Sequence, residues 1–333
     1  MASVAVLGAG SWGAALAIHL ARLGHTVRLW GRSHDLIATL TRDRVHHSHP
    51  SVDFPAGLEP TPDLAVACGG ADAVVVACPS HAVRELGGAI VSLVSGRTLV
   101  TSTAKGIEVE SQLTMSGVLE AVLPGPLKAR VSVLSGPSFA REVAQGMPTA
   151  VTAAAREIGV AEELQRLFNG PTFRVYASTD TVGVEIGGAV KNVIALAAGV
   201  SDGLGFGSNT RAALITRGLA EISRLAIRMG ADRATLSGLA GLGDLVLTCT
   251  GELSRNRQVG LRLGRGEPLA SVLAGMSEVA EGVRNTRSVR ELARSVQVEM
   301  PITEQMHLVL YEQKDPTQAV VDLMSRRLKH ELA

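Results

Sequence analysis

Aromatic side chains are scarce in this chain of 333 residues, which has five Phe, two Tyr and two Trp. Proteins that hold single-stranded nucleic acid stack the bases on aromatic side chains, so this composition argues against that class. Charge of one sign is also lacking, because 32 Lys and Arg are balanced by 31 Asp and Glu. With a net charge of +1, we expect neither nucleic acid nor an anionic membrane as the main partner.

Cysteine is rare as well, at Cys68, Cys78 and Cys249. These positions form no C-x-x-C pair, so the sequence predicts neither a zinc site nor a disulfide framework. We expect small, mostly buried thiols and a cytoplasmic location, where the reducing environment keeps thiols free. The first residues read as a folded strand, and we expect no signal peptide.

A long uninterrupted apolar run is missing too. The most apolar stretch, 182–200, contains Glu185, Lys191 and Asn192. A membrane-spanning helix needs roughly 20 predominantly apolar residues, and ionisable side chains are costly in the middle of a bilayer. We therefore expect a buried helix here and no membrane span.

Histidine occurs in two suggestive places. The tract His46-His47-Ser48-His49 resembles a metal cluster, but neighbours this close cannot all bind one ion without a special loop, and no acidic partner is near. We expect no metal site. His81, in Cys78-Pro79-Ser80-His81, is a candidate base, with an ordinary residue at a helix N-terminus as the alternative.

Glycine, by contrast, is abundant, with 36 residues. The first cluster, Gly8-Ala9-Gly10-Ser11-Trp12-Gly13, follows a strand pattern at Ser3–Leu7 and runs into a helical pattern. Gly8 permits a tight turn, Gly10 lets backbone N–H groups approach a pyrophosphate, and Gly13 lets the helix pack close to the strand. The helix N-terminus adds N–H donors and a positive dipole end. We interpret the motif as a dinucleotide site, with a purely structural turn as the alternative.

Short β-branched runs alternate with helical stretches over the first half of the chain. This alternation predicts an α/β fold, a doubly wound parallel sheet of the Rossmann type. The strand candidates are Ser3–Leu7, Thr26–Trp30, Ala73–Ala77, Thr98–Ser102, Val131–Leu134, Ala150–Ala153 and Arg174–Ala177. Strand signals stop after about Thr179. We predict a dinucleotide-binding domain over 1–178 and an all-helical substrate-binding domain over 179–333, with a glycine-rich loop at Gly199–Gly207.

The end of the second strand bears on the choice of cofactor. An NAD-selective site usually has Asp or Glu there, roughly 20 residues after the glycines, to hold the ribose 2′-hydroxyl. Arg32 takes that place in this sequence, and a guanidinium can bind a 2′-phosphate through two hydrogen bonds. The sequence thus favours NADP(H), with NAD(H) as the second candidate. A solvated arginine at a helix start is the alternative interpretation of Arg32.

Two polar segments follow the fourth and fifth predicted strands, where a doubly wound sheet keeps its active site. The first is Ser102-Thr103-Ala104-Lys105-Gly106, in which Lys105 can bind an anionic substrate or polarise a carbonyl. An ordinary surface lysine is the alternative. The second is Ser135-Gly136-Pro137-Ser138-Phe139-Ala140.

A charged pair is suggested in the helical part. Lys191 interrupts the apolar stretch Gly187–Ala195, where an ammonium group is costly unless it is paired and where burial lowers its pKa. Asp244, in Gly241-Leu242-Gly243-Asp244-Leu245, is the candidate partner. A lysine that reaches out to water at the helix edge is the alternative.

A candidate phosphate site follows. Ser254 has the character of a helix N-cap, so Arg255 and Asn256 would open the helix. A helix N-terminus with an arginine and an amide suits a phosphate. A solvated basic turn is the alternative.

Together these motifs resemble the NAD(P)-dependent glycerol-3-phosphate dehydrogenases, and the bacterial biosynthetic type in particular. The resemblance is collinear over nearly the whole chain and includes Val279-Ala280-Glu281-Gly282. It implies reversible reduction of dihydroxyacetone phosphate, a small phosphorylated substrate, to sn-glycerol 3-phosphate, the precursor of glycerophospholipids. Homodimers are common among similar enzymes.

The resemblance also implies a role for each matching position. Lys191 would donate and accept the proton, with Asp244 and Lys105 beside it in the catalytic group. The positions expected at the cofactor are Gly8, Gly10, Ser11, Trp12, Gly13, Arg32, Lys105, Ala140, Arg255, Val279 and Glu281. The positions expected at the substrate are Lys105, Gly136, Ser138, Lys191, Asp244, Ser254, Arg255 and Asn256.

Two other functions stay open at this point. A two-domain 3-hydroxy acid dehydrogenase also uses a lysine followed by asparagine on a helix, but its carboxylate substrate does not require the Arg255-Asn256 helix start. A non-catalytic dinucleotide sensor is the other, and the candidate pair of Lys191 with Asp244 argues against it.

Overall fold

The sheet is the centre of the N-terminal half. The structure is a computed structural model and describes residues 1–276, 280–328 and 330. Its strands are β1 (Ser3–Leu7), β2 (Thr26–Trp30), β3 (Leu58–Thr61), β4 (Ala73–Val76), β5 (Leu99–Ser102), β6 (Val131–Ser135), β7 (Thr149–Ala155) and β8 (Phe173–Ser178). They lie in the order β3-β2-β1-β4-β5-β6-β7-β8. The predicted Rossmann-type sheet followed by a helical half is therefore confirmed.

Helices cover the sheet and form the rest of the molecule. Their bounds are α1 (Ser11–Arg22), α2 (His34–Asp43), α3 (Leu64–Cys68), α4 (Val83–Ala89), α5 (Met115–Val122), α6 (Gly125–Lys128), α7 (Ala140–Ala144), α8 (Ile158–Phe168), α9 (Thr181–Gly203), α10 (Ser208–Arg228), α11 (Arg233–Leu236), α12 (Asp244–Thr250), α13 (Arg255–Gly264), α14 (Leu269–Ala274), α15 (Glu281–Ser295), α16 (Pro301–Tyr311) and α17 (Pro316–Met324). A 3-10 turn at Ser80–Ala82 precedes α4, and a π-helical turn at Leu239–Gly243 precedes α12.

The sheet is buried on both faces, as its apolar strands predict. Val4 and Val6 of β1 belong to a core that includes α1 and α8, whereas Ala5 and Leu7 belong to the core under α4 and α5. Alternate residues of one strand thus pack against different helix layers, because side chains alternate between the faces of a sheet.

The pairing directions correct the prediction of an all-parallel sheet. β1 to β6 pair in parallel, but β7 runs antiparallel to β6, and β8 lies parallel to β7. Strand β3 was not predicted from the sequence. It contains Pro60 and lies at the edge of the sheet, the place where a proline is tolerated because no second ladder has to be formed.

Helix α9 is the axis of the C-terminal half. It passes the length and composition test for a membrane span, yet 94% of its most apolar window is buried inside the protein. Helices α10 to α13, α15 and α16 pack against it, and this half forms a separate apolar core. We therefore identify α9 as a core helix, as the polar residues within it predicted.

Glycines bring α9 and α13 into backbone contact. A Cβ at Gly199 would lie 2.1 Å from the Arg257 carbonyl oxygen, and one at Gly260 would lie 2.1 Å from the Leu196 carbonyl oxygen. The predicted loop at Gly199–Gly207 is therefore wrong over its first half, because α9 continues to Gly203. The glycines there serve helix packing instead of a turn. This close packing sets the start of α13 beside the middle of α9.

Candidate active site

Two lysines share one buried carboxylate at the carboxyl edge of the sheet. Lys105 follows β5, Lys191 lies in the middle of α9, and Asp244 is the first residue of α12. One carboxylate oxygen of Asp244 accepts from Lys191 Nζ, and the other accepts from Lys105 Nζ at 2.7 Å. Asp244 is fully buried and Lys191 nearly so, while 18% of the Lys105 side chain is exposed. The suggested pairing of Lys191 with Asp244 is present, and Lys105 joins it.

Burial changes the acid–base character of Lys191. Removal from water lowers the pKa of Lys191, Asp244 opposes this shift, and the nearby charge of Lys105 adds to it. Together these effects bring the pKa from 10.5 to about 7. An amine with a pKa near neutrality exists in both forms at physiological pH, so it can donate a proton in one direction and accept it in the other.

The backbone around Asp244 is shaped to hold its carboxylate in place. The π-helical turn at Leu239–Gly243 leads directly into α12, and Thr248, one turn into this helix, contacts both charged partners. Its hydroxyl accepts from Lys191 Nζ at 2.8 Å and donates to the Asp244 carbonyl at 2.6 Å. No sequence pattern singles out Thr248, because a threonine inside a helix is an ordinary residue.

The carbonyl of Gly136 fixes the second lysine. It accepts from Lys105 Nζ at 3.1 Å and from Ser138 Oγ at 3.0 Å. Gly136 has a φ of +144°, and a Cβ there would lie 2.9 Å from the Cα of Val151. Only glycine fits this position without strain, which explains why a glycine follows β6.

The start of α13 is tied to α9 and α15. Ser254 is confirmed as the N-cap, since its hydroxyl accepts from the Arg257 N–H at 3.3 Å. The side chain of Asn256 donates to Asn192 Oδ1 at 2.9 Å and accepts from the Gly282 N–H at 2.9 Å. The side-chain amide of Asn256 is thus held within the protein, between α9 and α15. The side chain of Arg255 is exposed at the same helix start.

The glycine motif forms the turn from β1 into α1. Gly8 has a φ of +128°, and a Cβ on it would lie 2.7 Å from the Ala77 carbonyl oxygen. A Cβ on Gly13 would collide with the Gly8 carbonyl oxygen at 1.8 Å. A Cβ on Gly10, in contrast, would meet no atom within 4 Å. The open space therefore lies at the N-terminus of α1, where a pyrophosphate is expected, and the half-buried Ser11 and Trp12 begin that helix.

The histidine tract supports this turn. His46 and His49 are buried. The Nε2 of His46 contacts the Ala9 carbonyl at 3.1 Å, and the Nε2 of His49 contacts the Ser11 carbonyl at 2.8 Å. Among the residues that the structure describes, no group of three His, Cys, Asp or Glu side chains is arranged to hold a metal. The tract therefore braces the glycine turn from the segment between α2 and β3.

Three of the remaining predicted cofactor positions lie after β2, at the start of α7 and at the start of α15. Arg32 is exposed just after β2, and Ala140 begins α7, half-buried against the core that includes α1. Glu281 accepts hydrogen bonds from the N–H and the hydroxyl of Ser80, at 3.0 and 2.7 Å. Val279 lies outside the described residues. His81 is exposed in the 3-10 turn before α4.

Comparison with known proteins matches both halves of the chain to one protein family. Residues 3–161 match the family model of the NAD-dependent glycerol-3-phosphate dehydrogenase N-terminus, and residues 180–321 match the model of its C-terminus. The chain belongs to this family. Glycerol-3-phosphate dehydrogenases are oxidoreductases, so the turn and the lysine cluster are parts of an NAD(P)-dependent enzyme.

Similar proteins span the whole chain. A glycerol-3-phosphate dehydrogenase (NAD(P)+) of Geobacter metallireducens is 53% identical over 329 residues, 98% of each chain. One of Anaeromyxobacter dehalogenans is also 53% identical, over 98% of this chain and 99% of its own. The crystal structure of a Coxiella burnetii glycerol-3-phosphate dehydrogenase superposes with a TM-score of 0.92 at 42% identity, over 98% and 99% of the two chains. These likenesses do not favour a 3-hydroxy acid dehydrogenase or a non-catalytic sensor.

Proposed function

We propose that this glycerol-3-phosphate dehydrogenase reduces dihydroxyacetone phosphate reversibly to sn-glycerol 3-phosphate, for glycerophospholipid synthesis, and that Lys191 moves the proton. The observation that carries the proposal is the contact of Lys191 and Lys105 with the single carboxylate of Asp244. It supports a proton donor and a second positive charge at the sheet edge where such folds bind their ligands. The family membership of both halves supports the substrate.

The residues divide the chemistry among them. When bound, the reduced nicotinamide supplies the hydride. Negative charge then builds on the carbonyl oxygen of the substrate, and Lys191 protonates this oxygen while Lys105 stabilises the developing charge. Asp244 orients both ammonium groups, and Thr248 holds Lys191 from the other side. In the oxidation direction neutral Lys191 takes the proton from the alcohol.

The substrate phosphate is assigned to the start of α13. The first N–H groups of an α-helix have no acceptor within the helix, and the exposed guanidinium of Arg255 lies in the same turn. Gly136 and Ser138 form the neighbouring wall, since both are linked to Lys105 through the Gly136 carbonyl. Because the helix end is fixed, a phosphate bound there orients the ketone of the substrate. Most of the rate gain from positioning arises from this orientation.

The cofactor is assigned to the crevice above β1 and β4, where the strand order reverses. Open space at Gly10 fits the pyrophosphate, and the exposed Arg32 after β2 favours NADP(H) through its 2′-phosphate. Ser11, Trp12, Ala140, Val279 and Glu281 complete the proposed cofactor set, with Lys105 and Arg255 shared between cofactor and substrate.

The proposed organisation follows from these assignments. Residues 1–178 would bind the dinucleotide and 179–333 the substrate, with the active site between the two. We propose a homodimer in the cytoplasm, in line with the free thiols of Cys68, Cys78 and Cys249. The elution volume of the purified protein in size-exclusion chromatography with light scattering measures the oligomeric state.

The test of the function is an assay of NADPH and NADH oxidation with dihydroxyacetone phosphate. A matched reaction contains a 3-oxo acid in its place. We expect turnover with the phosphorylated ketone and none with the carboxylate. Turnover with the 3-oxo acid alone would favour the hydroxy acid alternative, and binding of cofactor without oxidation in either mixture would favour the sensor.

A further inference from the structure

One face of α15 holds the two loops that follow β4 and β5. Glu281 accepts from the N–H and hydroxyl of Ser80, in the loop after β4. Asn285 comes one helical turn later and therefore lies on the same face. Its Nδ2 donates to the carbonyl of Lys105, in the loop after β5, at 3.0 Å. This face thus connects the helical half to the edge of the sheet that carries the active site.

The amide of Asn285 makes a second contact, and this one reaches α9. The same Nδ2 donates to the Ala189 carbonyl at 3.1 Å. Ala189 precedes Lys191 by two residues on α9. A single buried NH2 group therefore links the backbone of Lys105 to the backbone of the helix that carries Lys191. Asn285 is 1% exposed, so water does not compete for these bonds.

The packing around Asn285 leaves the Lys105 loop little room to move. A Cβ on Gly106 would lie 2.5 Å from the Cβ of Ser80 and 3.2 Å from Asn285 Oδ1. The loop is thus seated directly against Ser80 and against Asn285 of α15. Without the N–H donors of Asn285, the Lys105 carbonyl would lose its hydrogen-bond partner. The loop would then shift so that this carbonyl could find another donor.

We propose that Asn285 is a positioning residue, which fixes the spacing of Lys105 and Lys191 so that both ammonium groups reach Asp244. This inference rests on the proposed function. Lys105 and Lys191 act together only if the carbonyl oxygen of the substrate is protonated beside both of them. Displacement of a reacting group by about 1 Å can cost roughly 10²-fold in rate. The contribution of Asn285 is therefore made through Lys105 and is absent when Lys105 is absent.

The test is a double-mutant cycle with the full chain. The variants are Asn285→Ala, Lys105→Met and the two combined, with Asn285→Leu as a variant that keeps the volume without the donors. Thr286→Val is the matched control, because the Thr286 hydroxyl is buried on the same helix and donates to the carbonyl of Gly282 in that helix. NADPH oxidation with dihydroxyacetone phosphate gives kcat and KM, and thermal unfolding gives the folded fraction.

We expect Asn285→Ala and Asn285→Leu to lower kcat by about 10- to 100-fold, with the KM for NADPH within about twofold of wild type and Thr286→Val unchanged. The double variant should be no slower than Lys105→Met alone, as coupled residues are not additive. Wild-type kcat in the folded Asn285→Leu variant, or losses that multiply in the double variant, would overturn the proposal. An inactive wild-type enzyme would instead refute the proposed function.

Discussion

Lys191 is surrounded by a cluster whose charges do not cancel. Two ammonium groups, on Lys191 and Lys105, meet the one carboxylate of Asp244, so the fully ionised cluster carries one excess positive charge. Burial makes that charge costly, and the release of a proton from Lys191 relieves it, consistent with a pKa of about 7. The same excess charge attracts the negative charge that forms on a ketone oxygen during reduction.

A residue-scale prediction concerns Arg32 and the choice of cofactor. Arg32→Ser removes the exposed guanidinium after β2, and with it the proposed charge-assisted bonds to the 2′-phosphate. We expect the KM for NADPH to rise by about 10- to 100-fold, while the KM for NADH stays within about twofold. Steady-state kinetics with both cofactors measure this. The control is Arg42→Ser, an exposed arginine near the end of α2. Equal KM values for NADPH in wild type and Arg32→Ser would refute the role.

Sequence reasoning reaches some residues of the site and not others. Lys191 and Asp244 could be matched because a lysine in an apolar helix needs a carboxylate. The family resemblance implied Lys105 beside this pair, but no local pattern shows that Lys105 bonds to Asp244, from which 139 residues separate it. Thr248 and Asn285 look like ordinary helix residues, and their role lies in contacts that only the packed helices create. The bracing role of His46 also depends on tertiary contact, with the Ala9 carbonyl.

At the scale of elements, the contact of α9 with α13 determines where substrate groups meet. The glycines on both helices allow the backbones to touch. The bond from Asn256 to Asn192 lies about one turn before Gly260 on α13 and about two turns before Gly199 on α9. The proposed phosphate end of α13 is thereby fixed relative to Lys191. A side chain in place of Gly199 or Gly260 would force the helices apart.

The element-scale prediction is that Gly260→Ala destabilises the protein. A Cβ there would lie 2.1 Å from the Leu196 carbonyl oxygen, and overpacking of this kind costs about 1–3 kcal/mol or more. We expect the free energy of unfolding, measured by urea denaturation, to fall by that amount, and kcat to fall with it. The control is Gly88→Ala in α4, where a Cβ meets no atom within 4 Å and helix propensity gains up to about 1 kcal/mol. Equal stability of the two variants would contradict the packing argument.

Most strands could be predicted because short apolar runs rich in β-branched residues favour a buried strand over a helix. β3 has only four residues, Leu58–Thr61, one of them a proline, so its pattern is too short and too mixed. The antiparallel direction of β7 cannot be seen from composition, since a buried strand has the same residues in either direction. The glycines at Gly199–Gly203 were misinterpreted because a glycine that permits helix contact has the same letter as one that permits a turn.

At the scale of the whole molecule, several polar contacts join the two halves besides the apolar packing. Glu281 bonds to Ser80, and Glu185 of α9 accepts from the N–H of Ser116 in α5 at 2.8 Å. Burial raises the pKa of Glu185, which marks this bond as one made in the dry interior. These contacts hold the helical half against the sheet and its helices.

The whole-molecule prediction concerns stability and pH. Glu221 of α10 accepts from the Ile302 N–H at 2.6 Å and thereby caps α16. Burial raises the pKa of Glu221 from 4.5 to about 7. Between these two pH values the folded protein keeps the proton on Glu221, whereas the unfolded chain has released it. The contribution of this group to stability is full below pH 4.5 and is lost as the pH rises through 7. Between pH 4.5 and 8 this amounts to roughly 3 kcal/mol.

Urea unfolding at pH 5, 6, 7 and 8 checks this. Glu221→Gln keeps an acceptor for the Ile302 N–H but cannot ionise, so its stability should fall less than that of wild type as the pH rises. The control is Glu162→Gln, an exposed glutamate on α8, which should follow the wild-type curve. Parallel curves for wild type and Glu221→Gln would show that Glu221 does not titrate with folding.

The most direct test of the account is the rate of NADPH oxidation with dihydroxyacetone phosphate by Lys191→Met. Lys128→Met, an exposed lysine on α6, is the control, and NADPH fluorescence measures cofactor binding in parallel. If Lys191 protonates the ketone oxygen, its loss should lower kcat by roughly 10²- to 10⁴-fold, with NADPH bound as in wild type and Lys128→Met fully active. A Lys191→Met enzyme that reduces dihydroxyacetone phosphate at the wild-type rate would contradict the account.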